Sequence, residues 1–181
     1  MGLRFLTAIL LAFAFGNNGL AHGLTAKSWL VSDHEGEIIQ SENIDEVRSI
    51  ASITKLMTAM VVLDANQDLD ERVGLFSRKE LLQLMLVKSN NQAAEALCEN
   101  YPSGRSGCIN AMNWKAWTLG LSQTHYADPS GLNIMNISTA EELVKIVLEA
   151  SKYPEITTAS NTFRGTIQTT VKNKKKKKII R

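Results

Sequence analysis

The sequence is poor in residues that hold metals, with three histidines and two cysteines among 181 residues. His22, His34 and His125 show no ligand spacing to Cys98, to Cys108 or to each other, which argues against a metal centre. Beyond the N-terminus there is no apolar run long enough to cross about 30 Å of hydrocarbon, so no transmembrane segment is expected in the body of the chain. Positive charge is also scarce where a fold would carry it. The formal net charge is +2, but Lys172, Lys174 through Lys178 and Arg181 supply seven of the twenty basic side chains. Up to Val171, thirteen basic residues stand against eighteen acidic ones, a net of −5, so a nucleic-acid-binding face is not indicated. No internal repeat is visible. What remains, 44% apolar and 21% charged, is the composition of an ordinary globular protein with enough chain for one domain, or one and a fraction.

At the N-terminus, Arg4 precedes an apolar run over residues 5–15, and Gly19-Leu20-Ala21 then fits a cleavage site. Residues 1–21 are expected to be a removed signal peptide. The alternative is a membrane anchor, for which this run is short. Residues 22–171 would then be the folded domain and 172–181 a lysine-rich tail. Two cysteines agree with export, since an even number is expected to pair in an oxidising compartment. The short Gly- and Ser-containing loop between Cys98 and Cys108 can fold back to join them; two unpaired core thiols are the alternative reading.

Residues 28–31 and 37–40 read as the two strands of a hairpin around a turn at 33–36. Apolar positions at helical spacing, Leu56, Met57, Met60, Val61 and Leu63, predict a helix starting at or just before Ser52. Ser77-Arg78-Lys79-Glu80 is a capping box opening a helix to about Lys88, and Ser138-Thr139-Ala140-Glu141 is a second one, with Ser138 as N-cap. Between them a helix carries Ala93, Ala94, Ala96 and Leu97, and another runs from about Cys108 to Leu119, ended by Gly120. Residues 156–171, rich in Thr and β-branched side chains, read as the start of a strand region. The expected class is α/β, with the terminal strands in one sheet.

Two patterns carry chemistry. Ser52-Ile53-Thr54-Lys55 is the only Ser-x-x-Lys in the chain, and on a helix its first and last residues share a face. A serine hydroxyl becomes a nucleophile when a base takes its proton, and Lys55 can be that base if burial and a helix N-terminus keep it neutral. The bland alternative is Ser52 as an N-cap and Lys55 as a solvated first-turn residue. Ser89-Asn90-Asn91 lies at the junction of two helices, where a hydroxyl can shuttle a proton and an amide can hold a carbonyl or the lysine. Its alternative is likewise a helix cap.

Taken together, residues 48–60 around Ser52 and Lys55, residues 84–97 around Ser89-Asn90-Asn91, and Asp128-Pro129-Ser130-Gly131-Leu132 with Ser138-Thr139-Ala140 resemble the D-alanyl-D-alanine carboxypeptidase and endopeptidase family of penicillin-recognising serine enzymes. The periplasmic endopeptidase branch is the nearest likeness. The resemblance implies a penicillin-binding, β-lactamase-like transpeptidase fold acting on peptidoglycan stem peptides through an acyl-enzyme. It implies Ser52 as nucleophile, Lys55 as base, Ser89 as proton relay and Asn91 as a substrate and lysine contact, with β-lactams as inhibitors, no cofactor and a periplasmic setting. Asn90 departs from the acidic residue common at that position.

A further departure concerns the family's third motif, Lys followed by Thr or Ser and then Gly, which occurs nowhere in these 181 residues. The resemblance therefore implies a chain lacking the C-terminal strands of the sheet, whose front hairpin is left with an unpaired edge and whose turnover is impaired. Five consecutive lysines followed by Ile179-Ile180-Arg181 fit a reading-frame slip in an adenine-rich stretch; a solvated basic tail is the alternative. A non-catalytic exported remnant that binds wall peptide or β-lactam is the competing functional expectation.

Overall fold

A computed structural model describes residues 25–162 in full and the backbone of 165–171 and 174–180. The expected signal segment lies outside the described residues. Strands β1 (Trp29–Ser32) and β2 (Ile38–Glu42) form the antiparallel hairpin, with Trp29 opposite Glu42. Asp33 closes its turn by accepting the backbone N–H groups of Glu35 and Glu37, each at 2.9 Å. A short strand β3 (Arg48–Ser49) then leads through a 3₁₀ turn (Ala51–Ile53) into helix α1 (Thr54–Asp64).

Helix α1 is apolar on nearly all sides, and such a helix belongs at the centre of a fold. Met57, Ala59, Met60, Val61 and Val62 are all buried. Around it pack α2 (Arg78–Lys88), α3 (Asn91–Glu99), α4 (Gly104–Thr118) and α5 (Ala140–Ala150). The ribbon β4 (Arg72–Val73) with β5 (Phe76–Ser77) precedes α2, and β6 (Ile137–Ser138) pairs with β3. Cys98 of α3 and Cys108 of α4 are disulfide-bonded, with Cα atoms 5.3 Å apart. Lys115 of α4 donates to Asp64, at the end of α1, and to the Tyr153 hydroxyl, both at 2.9 Å.

The first capping box forms in full: Ser77 accepts the Glu80 N–H and the Glu80 carboxylate accepts the Ser77 N–H. The second N-cap is displaced by one residue. Ser138 belongs to β6, opposite Arg48, and Thr139 caps α5 by accepting the Glu142 N–H at 3.2 Å. Helix α4 starts at Gly104, four residues before the expected Cys108, because packing and the disulfide extend it through a Gly- and Ser-rich stretch of weak propensity.

Part of the expected strand region is helical. Pro154 occupies the first turn of α6 (Pro154–Ser160), where its missing N–H costs nothing, and Ile156 and Ala159 are buried beside α2. Tertiary burial outweighs the β propensity of Ile and Thr here. Strand β7 (Gly165–Val171) pairs antiparallel with β8 (Lys174–Ile180), from Gly165 opposite Ile180 to Val171 opposite Lys174. Most of the expected tail is thus a strand, because a ladder is made of backbone groups that lysine retains. Among the described residues β1 and β2 pair only with each other, as do β7 and β8, so the terminal strands do not share one sheet.

Candidate active site

Ser52 lies exposed in the 3₁₀ turn and Lys55 is the second residue of α1, only 3% exposed. One helical turn separates them, and Lys55 Nζ stands 2.8 Å from Ser52 Oγ. The solvated-lysine alternative is therefore not the observed state. Burial pushes the Lys55 ammonium below the usual lysine range, and the carboxylate of Asp128 opposes part of that shift.

The same Nζ donates to the backbone carbonyl of Ser130 at 2.6 Å. That carbonyl belongs to a turn laid across the first turn of α1. Asp128, 5% exposed, organises the turn by accepting the Ser130 N–H at 2.7 Å, the Gly131 N–H at 2.6 Å, the Ser130 hydroxyl at 3.1 Å and the Asn133 N–H. Burial alone would raise the Asp128 carboxyl, but these N–H donors outweigh it and hold it below the usual range. Asn136, fully buried, accepts the Ala127 and Asp128 N–H groups and donates to Thr54 Oγ1 and the Asp128 carbonyl, both at 2.9 Å. Thr58 donates to the Pro129 carbonyl at 2.7 Å. Gly131 has φ +84, and a Cβ there would stand 1.9 Å from the Ala51 carbonyl oxygen, so only glycine lets the turn lie against the backbone preceding Ser52.

Ser89 is exposed at the end of α2, and Asn91 is half-buried at the start of α3. Asn90 between them is the N-cap of α3, accepting the Ala93 N–H at 2.8 Å. Among the described residues no hydrogen bond joins Ser89 or Asn91 to Ser52 or Lys55; the structure brings together Ser52, Lys55 and the Ser130 carbonyl. Backbone strain marks both motifs nonetheless. Among the described residues, the non-glycine ones with positive φ are Asn43, Asn66, Ala51 and Ser89. Asparagine tolerates that region, whereas alanine and serine do not readily adopt it; Ala51 directly precedes Ser52, and Ser89 opens the second motif.

A buried lysine held against an exposed serine at a helix start has the geometry in which a general base can serve a nucleophile, an arrangement suited to acyl transfer. Residues 17–76 and 70–180 match the D-alanyl-D-alanine carboxypeptidase family. The chain belongs to this family. Among curated members, the D-alanyl-D-alanine endopeptidase of Pseudomonas aeruginosa is 40% identical over 169 residues, covering 82% of this chain and 54% of the relative. The Escherichia coli D-alanyl-D-alanine endopeptidase is 36% identical over 189 residues, covering 87% and 61%. The chain thus spans 54% to 61% of the length of these relatives. A variant of the Streptomyces K15 DD-transpeptidase superposes with a TM-score of 0.77 at 29% identity, over 84% of this chain and 71% of that one. Penicillin-binding protein D2 of Listeria monocytogenes in its ampicillin-bound form gives 0.74 at 29%, over 80% and 70%. The mixed α/β architecture is therefore part of the penicillin-binding transpeptidase fold.

In the sequence, Asp128 to Leu132 contributes to the family resemblance without pointing to a part in the site, and no local pattern marks Asn136. An Asp-Pro-Ser-Gly run signals a turn, but nothing in it says which helix the turn will cover.

Proposed function

We propose that this chain carries the acyl-forming apparatus of a serine-type D-alanyl-D-alanine peptidase acting on peptidoglycan stem peptides. The observation that carries the reading is the 2.8 Å contact between the buried Lys55 Nζ and Ser52 Oγ. Neutral Nζ takes the Ser52 proton as Oγ attacks the carbonyl carbon of the D-alanyl peptide bond. The proton passes by way of the Ser89 hydroxyl to the leaving amine, and the C–N bond breaks to leave an ester on Ser52. Water, deprotonated by Lys55, then hydrolyses that ester and restores the serine. Asn91 holds the substrate amide. A β-lactam, with its strained amide, acylates the same oxygen. Relatives in Pseudomonas aeruginosa and Escherichia coli support a bacterial wall setting, and residues 1–21 an exported, periplasmic one. No helix among the described residues is long and apolar enough to cross a membrane.

For a polypeptide of these 181 residues alone, a second reading, a binder of wall peptide or β-lactam with little turnover, is favoured by one observation: they contain no Lys-Thr-Gly or Lys-Ser-Gly. In the family the strand that bears this third motif anchors the substrate carboxylate and shapes the oxyanion site, and losing one oxyanion donor typically costs about 10²- to 10³-fold in rate. Labelled penicillin should acylate Ser52, slowly in the 181-residue chain and faster when the C-terminal strands of a relative are joined to it. Ser52→Ala should abolish labelling in both. Labelling that survives the substitution would sink the assignment of the nucleophile. D-alanyl-D-alanine peptide hydrolysis at equal rates by both chains would remove the second reading.

A further inference from the structure

Proximity of Lys55 to Ser52 is not enough for base catalysis, because a flexible four-carbon side chain must also hold its nitrogen in one place. The second contact fixing Nζ is the Ser130 carbonyl. That carbonyl and the Gly131 N–H belong to one planar trans peptide and point in opposite directions. Asp128 Oδ1 accepts the Gly131 N–H at 2.6 Å, so gripping one end of the peptide turns its other end toward Lys55. The grip is reinforced on both sides, since the N–H groups of Ser130 and Asn133 converge on the same carboxylate.

We propose that Asp128 is a positioning residue for Lys55, orienting the Ser130–Gly131 peptide so that its carbonyl holds Nζ against Ser52 Oγ. This rests on the reading of Lys55 as the base. Among the described residues Asp128 is the charged group that acts on Lys55, and Ser52 and Ser130, whose oxygens Nζ contacts, carry no charge. Lys55 and Arg105 of α4, itself bound to Glu95 at 2.7 Å, are the cations that feel Asp128. The carboxylate therefore has two effects on Nζ: it places an acceptor beside it, and it stabilises its charged form from behind.

The test is a pH titration of Lys55 by NMR in the 181-residue chain carrying ¹³Cε-labelled lysine, with the Lys55 signal assigned by its loss in Lys55→Met. Asp128→Asn removes the charge and one acceptor at nearly constant volume. The Lys55 midpoint should then fall by about one unit or more, as expected when an opposite charge and a hydrogen-bond acceptor are both withdrawn. Ser130→Ala, which keeps the carbonyl, should leave the midpoint in place. A residue that merely stiffens the loop predicts the opposite for Asp128→Asn, because loosening would hydrate Lys55 and raise its midpoint. An unchanged or raised midpoint would therefore overturn the proposal. Should Asp128→Asn fail to fold, the unsubstituted chain decides. Its Gly131 amide signal should shift with the Lys55 midpoint, since neutralising Nζ changes the hydrogen bond at the other end of the same peptide; a Gly131 signal blind to that titration would refute the coupling. Neither readout involves penicillin or peptide, so failure of Ser52 labelling and failure of the positioning role are separately visible.

Discussion

Lys55 shows how a single side chain takes its chemistry from where it is buried. Burial lowers its pKa in the folded chain, while the unfolded chain keeps a lysine of about 10.4. In the proposed mechanism acylation needs neutral Nζ, so the penicillin acylation rate should climb with pH and level off above the lowered Lys55 midpoint. Stability follows the same proton. Between the folded midpoint and about 10.4 the unfolded state binds more protons than the folded one, so stability rises with pH across that window and is lost as pH falls through the folded midpoint. Urea unfolding of the chain beside its Lys55→Met variant isolates this term. Relative to the variant, the unsubstituted chain should gain stability as pH rises through the window. A difference between the two that is independent of pH would contradict the burial argument.

At the scale of elements, helix α2 delivers Ser89 at its C-terminal end, and its N-terminal end is fixed by local chemistry. The Ser77–Glu80 box satisfies two backbone donors, and Arg78 next to it is 2% exposed, bound to Glu71 and to the Asp68 carbonyl, both at 2.7 Å. Ser77→Ala should cost about 1 kcal/mol of stability, within the range for lost caps. Because the break lies three turns from Ser89, penicillin labelling of Ser52 should stay unchanged. Chemical denaturation of the variant, combined with a labelling time course, checks both halves of this expectation.

For the whole molecule, the helical half has a buried centre while the front hairpin has little to lean on. Val31, Ile38 and Ile39 are exposed on it, and its β1 and β2 edges pair with no other strand among the described residues. Two-stranded units are marginal by themselves. Cross-linking therefore matters for the helical half. The Cys98–Cys108 bond closes a loop of sequence separation 10, for which the chain-entropy model gives roughly 2–3 kcal/mol. Reduction with a thiol should lower the urea midpoint accordingly, and reduced and oxidised chains unfolding together would show that the bond adds nothing.

Local chemistry was legible in the residues alone. Apolar spacing announced α1, the Ser77 box announced α2, and the Ser52 to Lys55 spacing announced two side chains in contact one turn apart, because each depends on neighbours within four positions along the chain. The second cap was placed one residue early, at Ser138, since both Ser138 and Thr139 can cap and only the pairing of Ser138 with Arg48 takes it out of the competition. The same limit hid α6, where burial of Ile156 and Ala159 overrides a strand-like composition. It also hid the turn that completes the site. Ser130 is 75 positions from Lys55 and Asn136 is 82 from Thr54. Contacts at that range are made when separate elements pack, and no local pattern specifies them. The sequence by itself determined that Ser52 and Lys55 stand one turn apart as a pair; tertiary structure decided that the lysine is dry, held by a carbonyl and backed by Asp128, because only packing excludes water and sets the direction of a distant peptide plane.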